Sequence, residues 1–595
     1  MTPMKRTEPA NTSPMTRRRW LALGAIVAAG LAMRLVYIHQ IRLHPLFTTL
    51  SGDPALYMAR AREILQGSPV PDHAYFHSSP LYPFFLALVA KLAGPGLDAV
   101  RIVQSCVGAL SVALVFALGR LTLGVRTGFA AAAFAAVYVP FVFFDGEYLE
   151  ISLVIAFVLG SLLTLESADR TGPTGRAAVA GVLLGLAGLG KPNLLLFAPV
   201  GAFWLCRAAW LPLLRRGQNT ADDTRGRLLR AVLFFAAAGV VILPATVHNY
   251  RVEGDLIPVS SNAGINFYIG NHTGSPGLFQ APPEMRRDLR VASLEIAERE
   301  TGRRLSAGEV SDYWMDRTLG QIGEAPGRWL GLMGRKFILF WNHYEVPNHH
   351  HLEFVKGFAP VLRLPVGTFA VVAPLGLLGL GLAIRRRRRV GLLVLFGVTF
   401  MVSVIPFFIT GRYRLAIVPV LLVGAGHAVV SLWAAARQRA WRTLAVAAAV
   451  VAALAAAVGV DTVEFDFAPM HNAVGTVLAR QDDLGAAAAA FEKALAENPD
   501  DLSSRYNLGR ATLELGRPDE AAGHFAQVLA RNPRDPLAWL GLGRAHAAAG
   551  RVADARAAWR RVLSMAPPAP ESLRATAARL LSSLPDGEPT GSHTD

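Results

Sequence analysis

The sequence predicts an all-α protein: a polytopic membrane bundle of about eleven spans with long extramembrane loops, followed by an α-helical solenoid. Composition and charge placement predict the bundle, and a repeat near the C-terminus predicts the solenoid. Of 595 residues, 52% are hydrophobic and only 17% are charged, against about 25% charged in soluble proteins. Charges are scarce in long apolar runs and gather between them, the pattern of membrane spans joined by polar loops.

A net charge of +16 raises the question of nucleic-acid binding. The arginines, however, sit beside apolar runs, at Arg17 to Arg19, Arg215 and Arg216, and Arg385 to Arg389. Membrane topology accounts for that placement, and no nucleic-acid recognition module is visible. The two cysteines, Cys106 and Cys206, both fall inside predicted spans and build neither a disulfide framework nor a cysteine metal motif. Arg17 to Arg19 precede an apolar stretch from Trp20 to Ile38 with no small-residue cleavage site after it, so this stretch reads as a retained first span.

The predicted spans are 20–38, 100–121, 127–144, 148–166, 177–190, 193–211, 230–247, 360–384, 390–409, 413–434 and 443–460. Lys191-Pro192-Asn193 breaks the fifth from the sixth, as in a bent hairpin. The basic clusters fall on one side of this scheme, which assigns that side to the cytoplasm. The other side receives the first outer loop 39–99, the long outer loop 248–359, and everything after 460. Gly331 to Trp341 is apolar, but counting it as a span would place the five arginines 385–389 outside, so 326–344 reads as a helix on the outer surface. The expected organisation is a basic cytoplasmic N-terminus 1–19, a transmembrane domain 20–460, a repeat domain 461–582 and a disordered tail 583–595, in the inner (plasma) membrane.

Three segments align at a period of 34 and end at Pro499, Pro533 and Pro567. Gly475, Gly509 and Gly543 recur at that spacing, as do Ala487, Ala521 and Ala555 and the aromatic residues at 491, 525 and 559. Small residues let paired helices approach, an aromatic fills the gap, and proline follows the second helix: these are tetratricopeptide repeats. They read either as a protein-binding surface that recruits a partner or as a folded cap on the rest of the chain.

Four places carry residues suited to chemistry. Asp53-Pro54 opens a helix in the first outer loop, where Asp53 reads as an N-cap or as a carboxylate held at the membrane face. Asp145, Glu147 and Glu150 lie between two spans, as a polar turn or as part of a site. Lys191, Arg412 and Arg414 sit on the outer side against the positive-inside trend, where they would snorkel or meet an anionic headgroup or phosphate. His248 to Arg251, Ser260 to Asn262 and Asn266 to Asn271 suit sugar binding or a turn-rich loop. In that same long outer loop, His349 to His351, near His343 and Glu345, read as a surface cluster or as metal ligands.

In order along the chain, GDPALYMARAREIL, HSSPLYPFFLALVAKLAG, DGEYLE, GLAGLGKPNLLL, LPATVHNYRVEGDLIPVSSNAGINFYIGN and GRYRLAIVPV resemble the GT-C glycosyltransferases over residues 20–430. The closest resemblance is to the protein O-mannosyltransferase and aminoarabinose transferase group. Many relatives carry two adjacent acids where this chain has Asp53 followed by Pro54. The resemblance implies transfer of a sugar from a polyprenyl-phosphate donor to a lipid, glycan or protein acceptor at the extracytoplasmic face. Asp53 would be the catalytic base of an inverting displacement, assisted by Glu147 and Asp145. Arg412, Arg414 and Lys191 would contact the donor phosphate, and Tyr57, His77, Asn249, Arg251, Asn262 and Asn266 the substrates. No metal ligand set is assigned, and a divalent metal is left open. The alternative is a non-catalytic membrane scaffold that recruits envelope-assembly partners through its repeats. A transporter is disfavoured because no repeated half-structure is visible.

Overall fold

The computed structural model describes residues 14–584 apart from 69, 74–79, 171–172, 211–220, 281, 283–284, 286–288, 348, 387–388, 461–464 and 567. The described residues form helices and connecting loops, in two compact units. One comprises residues up to Arg42 together with Leu50–Val463; the other comprises Leu43–Thr49 and the chain from Glu464.

Among the described residues of the first unit, six helices are long and apolar enough to cross a membrane: Arg17–Ile41, Leu97–Leu123, Ile151–Asp169, Thr224–Glu253, Gly411–Arg437 and Trp441–Val458. A seventh is the pair Val125–Val137 and Val139–Asp145, bent by 53°. Pro140 sits at the start of the second segment, where its missing N–H costs nothing. The four other predicted spans fall on shorter helices. Gly175–Gly190 ends at Lys191, Pro192–Leu196 is a 3-10 turn, and Phe197–Trp210 follows, so the predicted break stands where Pro192 removes a donor. The predicted span from 360 starts only at Phe369, because Pro360 and Pro365 hold the preceding residues in short 3-10 turns. Gly391–Val404 completes the set.

Small residues set the closest approach. Helices Phe369–Arg385 and Val418–Arg437 cross so tightly that a Cβ on Gly379 would fall on the Gly424 carbonyl. Lipid tails offer no hydrophobic drive between helices, so such backbone proximity supplies the association.

Residues 254–359 build a layer of shorter helices. Ser306 and Glu309 close a reciprocal capping box at the start of Ala307–Glu324. Trp314 of that helix packs on Tyr268 of Ala263–Asn271, with ring centroids 4.6 Å apart. The predicted surface helix is Pro326–Trp341, which buries Leu332, Lys336, Leu339 and Phe340 and leaves Leu330, Phe337 and Ile338 exposed. Asn271 joins this layer to the transmembrane helices: its amide donates to the Pro406 carbonyl at 2.8 Å and accepts from Lys336 Nζ at 2.9 Å.

The second unit stacks helix pairs Ala468–Arg480 with Leu484–Glu497, Leu502–Glu514 with Pro518–Arg531, and Pro536–Ala548 with Val552–Leu563, closed by Glu571–Ser582. Phe491, Phe525 and Trp559 are buried against the faces of Gly475, Gly509 and Gly543, as the period of 34 requires. Leu46 and Phe47, from the segment Pro45–Thr48, are buried in this unit as well.

Two measurements follow. Phe525→Ala leaves a cavity in the middle repeat, with an expected loss of about 3–5 kcal/mol of that unit's stability, read by thermal unfolding of the full chain. Burial pushes the Lys336 ammonium down to about 7. The unfolded chain then binds the extra proton between about pH 7 and the ordinary lysine range, so stability should rise with pH across that window. Lys336→Met should flatten that slope in detergent-solubilised protein; an unchanged slope would show that another group sets it.

Candidate functional site

The turn at 145–150 is held from the Leu97–Leu123 helix. Gln104 Nε2 donates to the carbonyls of Asp145 at 3.1 Å and Glu147 at 2.7 Å, and its oxygen accepts from the Tyr82 hydroxyl at 2.5 Å. Arg101 Nε donates to the Gly146 carbonyl at 3.1 Å. With its backbone fixed in this way, the turn sends its three acids in three directions.

Asp145 points inward and pairs with Arg34 at 2.6 Å, while Ser152 Oγ donates to it at 2.5 Å. Gly108 makes the room, since a Cβ there would overlap the Asp145 carboxylate. This is a buried charge pair between helices, worth less for stability than for keeping each charge partnered. Glu147 accepts from His350 Nδ1 at 2.9 and 3.0 Å. Burial alone would raise its carboxyl; His350, then His349 and Arg101, outweigh burial and hold it below the usual range. Glu150 pairs with Lys191 Nζ at 2.7 Å and faces a cavity of about 360 Å³.

That cavity gathers distant stretches of chain. Asp53, Tyr57, Tyr82, Glu150, Lys191, Asn262, Asn266 and Arg412 supply its polar wall, and Phe400, Val404, Phe407 and Phe408 part of its apolar wall. The helix Asp53–Leu65 begins at Asp53 itself, with Gly52 at the N-cap in the left-handed region, φ 59°. Gly52, not Asp53, therefore takes the cap position, and the Asp53 carboxylate accepts from Arg412 Nη2 at 3.0 Å. Arg412 comes from the short turn Gly411–Arg414. Its Nε and Nη1 are buried with no hydrogen-bond partner among the described residues. Lys191 Nζ lies 4.3 Å from the centre of the Tyr413 ring, and the Arg412 guanidinium lies 5.2 Å from it, so both cations share one aromatic ring.

Of the residues expected in a site, Asp53, Tyr57, Lys191, Asn262, Asn266 and Arg412 line the cavity. Asp145, Glu147, Arg414, Asn249 and Arg251 do not. Arg414 is turned away by the helical step from Arg412: it pairs with Glu345 at 2.7 Å and donates to the carbonyls of Phe340, Asn342 and Tyr344. Asn249 is buried, donating to the carbonyls of Ile257 at 2.9 Å and Val259 at 3.1 Å. Arg251 is exposed on the helix Ala221–Glu253. His77 lies outside the described residues. Glu150 was grouped with Asp145 and Glu147 in the sequence but given no role there, and Tyr82 was not singled out; both line the cavity.

The histidine cluster regroups. His351 bonds the Tyr344 hydroxyl at 2.9 Å and caps Leu352–Lys356, His343 lies against the Val458 carbonyl at 3.3 Å, and Glu345 belongs to Arg414. His349 and His350 stand instead with Glu147.

Residues 72–217 match the family profile described as dolichyl-phosphate-mannose-protein mannosyltransferase, and residues 472–526 and 506–570 match a tetratricopeptide repeat profile. These matches support the resemblance to GT-C glycosyltransferases with C-terminal tetratricopeptide repeats. No curated protein matches the chain. Among solved structures, ArnT from Cupriavidus metallidurans bound to undecaprenyl phosphate is similar at 15% identity and a TM-score of 0.43, over 95% of this chain and 85% of that one. The apo oligosaccharyltransferase of Archaeoglobus fulgidus is similar at 13% identity and a TM-score of 0.43, over 76% of this chain and 58% of its own. The archaeal oligosaccharyltransferase AglB from Archaeoglobus fulgidus, in complex with an inhibitory peptide and a dolichol-phosphate, is similar at 14% identity, with the same TM-score and coverage. The chain thus spans less than two thirds of the archaeal protein's length.

The Glu150–Lys191 pair yields a test. Glu150→Gln should cost stability, up to about 3 kcal/mol, because it leaves the largely buried Lys191 ammonium without its carboxylate. Glu150→Gln combined with Lys191→Met should recover most of that loss. Thermal unfolding of the two variants in one detergent checks this; equal losses would mean the charges are not coupled.

Proposed function

We propose that the chain transfers a sugar from a polyprenyl-phosphate donor to an acceptor hydroxyl at the non-cytoplasmic face of the membrane, in the cavity walled by Asp53, Glu150, Lys191 and Arg412. The observation that carries this reading is Arg412, whose Nε and Nη1 are buried without a hydrogen-bond partner among the described residues and belong to a guanidinium already oriented by Asp53. A guanidinium fork is suited to phosphate oxygens, and buried donors left unmet favour a ligand that meets them. The match of residues 72–217 to a family named for dolichyl-phosphate-mannose donors supports the same class of substrate.

In this reading Arg412 and Lys191 bind the donor phosphate. The acceptor hydroxyl attacks the anomeric carbon as the bond from that carbon to the phosphate oxygen breaks, with inversion. Asp53 takes the hydroxyl proton, and the phosphate leaves with the bonding electron pair. Arg412 stabilises the charge that develops on the phosphate, so the leaving group needs no proton. Glu150 holds Lys191 in place. The apolar side of the cavity, with Phe400, Phe407 and Phe408, keeps water from competing with the acceptor. The acceptor would be a lipid, a glycan or a protein.

The test is turnover of a radiolabelled polyprenyl-phosphate hexose by the purified protein, followed as release of polyprenyl phosphate. Asp53→Asn should lower the rate by about 10²–10⁴-fold. Arg412→Lys should lower it by about 10²-fold, because lysine keeps the charge but not the fork. Wild-type rates in a correctly inserted Asp53→Asn protein would remove Asp53 from the mechanism.

A further inference from the structure

Outside the cavity lining, Glu147, His349 and His350 present one ligating atom each, all within 4.8 Å of one another. They come from two stretches of chain about two hundred residues apart, and the geometry points to a site for a divalent transition metal, zinc by preference. The donor set is two imidazoles and one carboxylate. That set suits zinc, cobalt or nickel better than magnesium or calcium, which take oxygen ligands.

Several features make this a built site rather than a surface cluster. Glu147 is 3% exposed, and the His350 side chain is 8% exposed. Gln104 fixes the Glu147 backbone through the carbonyl at 2.7 Å, so the carboxylate is presented from a rigid turn. The two histidine rings lie with centroids 4.1 Å apart and planes tilted by 44°, which lets adjacent residues offer nitrogens to a common point. His350 Nδ1 already reaches both Glu147 oxygens, at 2.9 and 3.0 Å. Tetrahedral zinc, with bonds near 2.0–2.2 Å, needs ligand atoms roughly 3.3 Å apart. Small side-chain rotations close the gap, and the metal takes the place of the proton between His350 and Glu147. Three protein ligands leave a fourth position open. His349 Nδ1 lies 3.7 Å from where a Cβ on Gly52 would stand, so one edge of the site borders the residue before Asp53.

The site does not depend on the sugar-transfer reading, and its test needs no substrate. The full-length protein, purified without a polyhistidine tag and stripped with a chelator, is titrated with Co²⁺ alone and followed by visible absorption. One equivalent should bind with the intense bands of a four-coordinate ion, and Zn²⁺ should displace it. His349→Ala/His350→Ala and Glu147→Gln should each weaken binding by at least about 10-fold, whereas Glu147→His should retain it. A folded wild-type protein that takes up no Co²⁺ would overturn the proposal. So would uptake that the double histidine variant leaves unchanged, since the ion would then sit elsewhere.

Discussion

The contact between Asp53 and Arg412 closes a loop of 359 residues. One partner opens a helix in the first loop; the other sits in a four-residue turn ahead of a long apolar helix. The Arg412 guanidinium is buried and would cost several kcal/mol without a partner, and Asp53, about a third exposed, supplies that partner. The same constraint recurs along the wall, where Lys191 interrupts a helix and is met by Glu150. Two ion pairs whose cations both lie near the Tyr413 ring therefore define the polar face of the cavity. The cavity owes its position to that pairing more than to any single helix.

The wall is kept in place by contacts that carry no net charge. Gln104 ties the 145–150 turn to Tyr82, so a backbone segment and a cavity side chain share one amide. Asn271 plays the equivalent part on the other side, binding the Pro406 carbonyl just before Phe407 and Phe408 enter the lining. Each amide satisfies groups that would otherwise be buried unpaired, at about 1–3 kcal/mol apiece. Geometry at the site is thus set in large part by neutral hydrogen bonds, around the charges to which the proposed chemistry is assigned.

Much of this was legible in the sequence. The period of 34 fixed which glycine faces which aromatic, and Pro192 marked the break that exposes Lys191. Asp53 and Arg412 were legible because a charge beside an apolar run demands an explanation. What was not legible was direction. Glu147 and Glu150 have the same chemistry, and the hold of Gln104 and Arg101 on the turn, with His350 and Lys191 as the acids' partners, decides which one meets the cavity. Arg412 and Arg414 differ by two positions, enough on a helical turn to send one to the cavity and the other to three backbone carbonyls. Asn249 read as a ligand-binding amide, yet its donors serve the chain's own carbonyls at 257 and 259. In each case the deciding partners include a neutral group, a glutamine amide or a backbone carbonyl, that nothing in the composition singles out.

The segment Leu43–Thr49 belongs to the repeat unit although it lies between the first long helix and Asp53. Leu46 and Phe47 are 4% and 1% exposed there, and Gln481 donates to the Thr48 hydroxyl at 3.3 Å. Cutting away the solenoid would therefore not be a clean excision. It would strip the cover from two greasy side chains immediately upstream of the proposed base, and a dead truncated enzyme would say as much about that wound as about any lost binding partner.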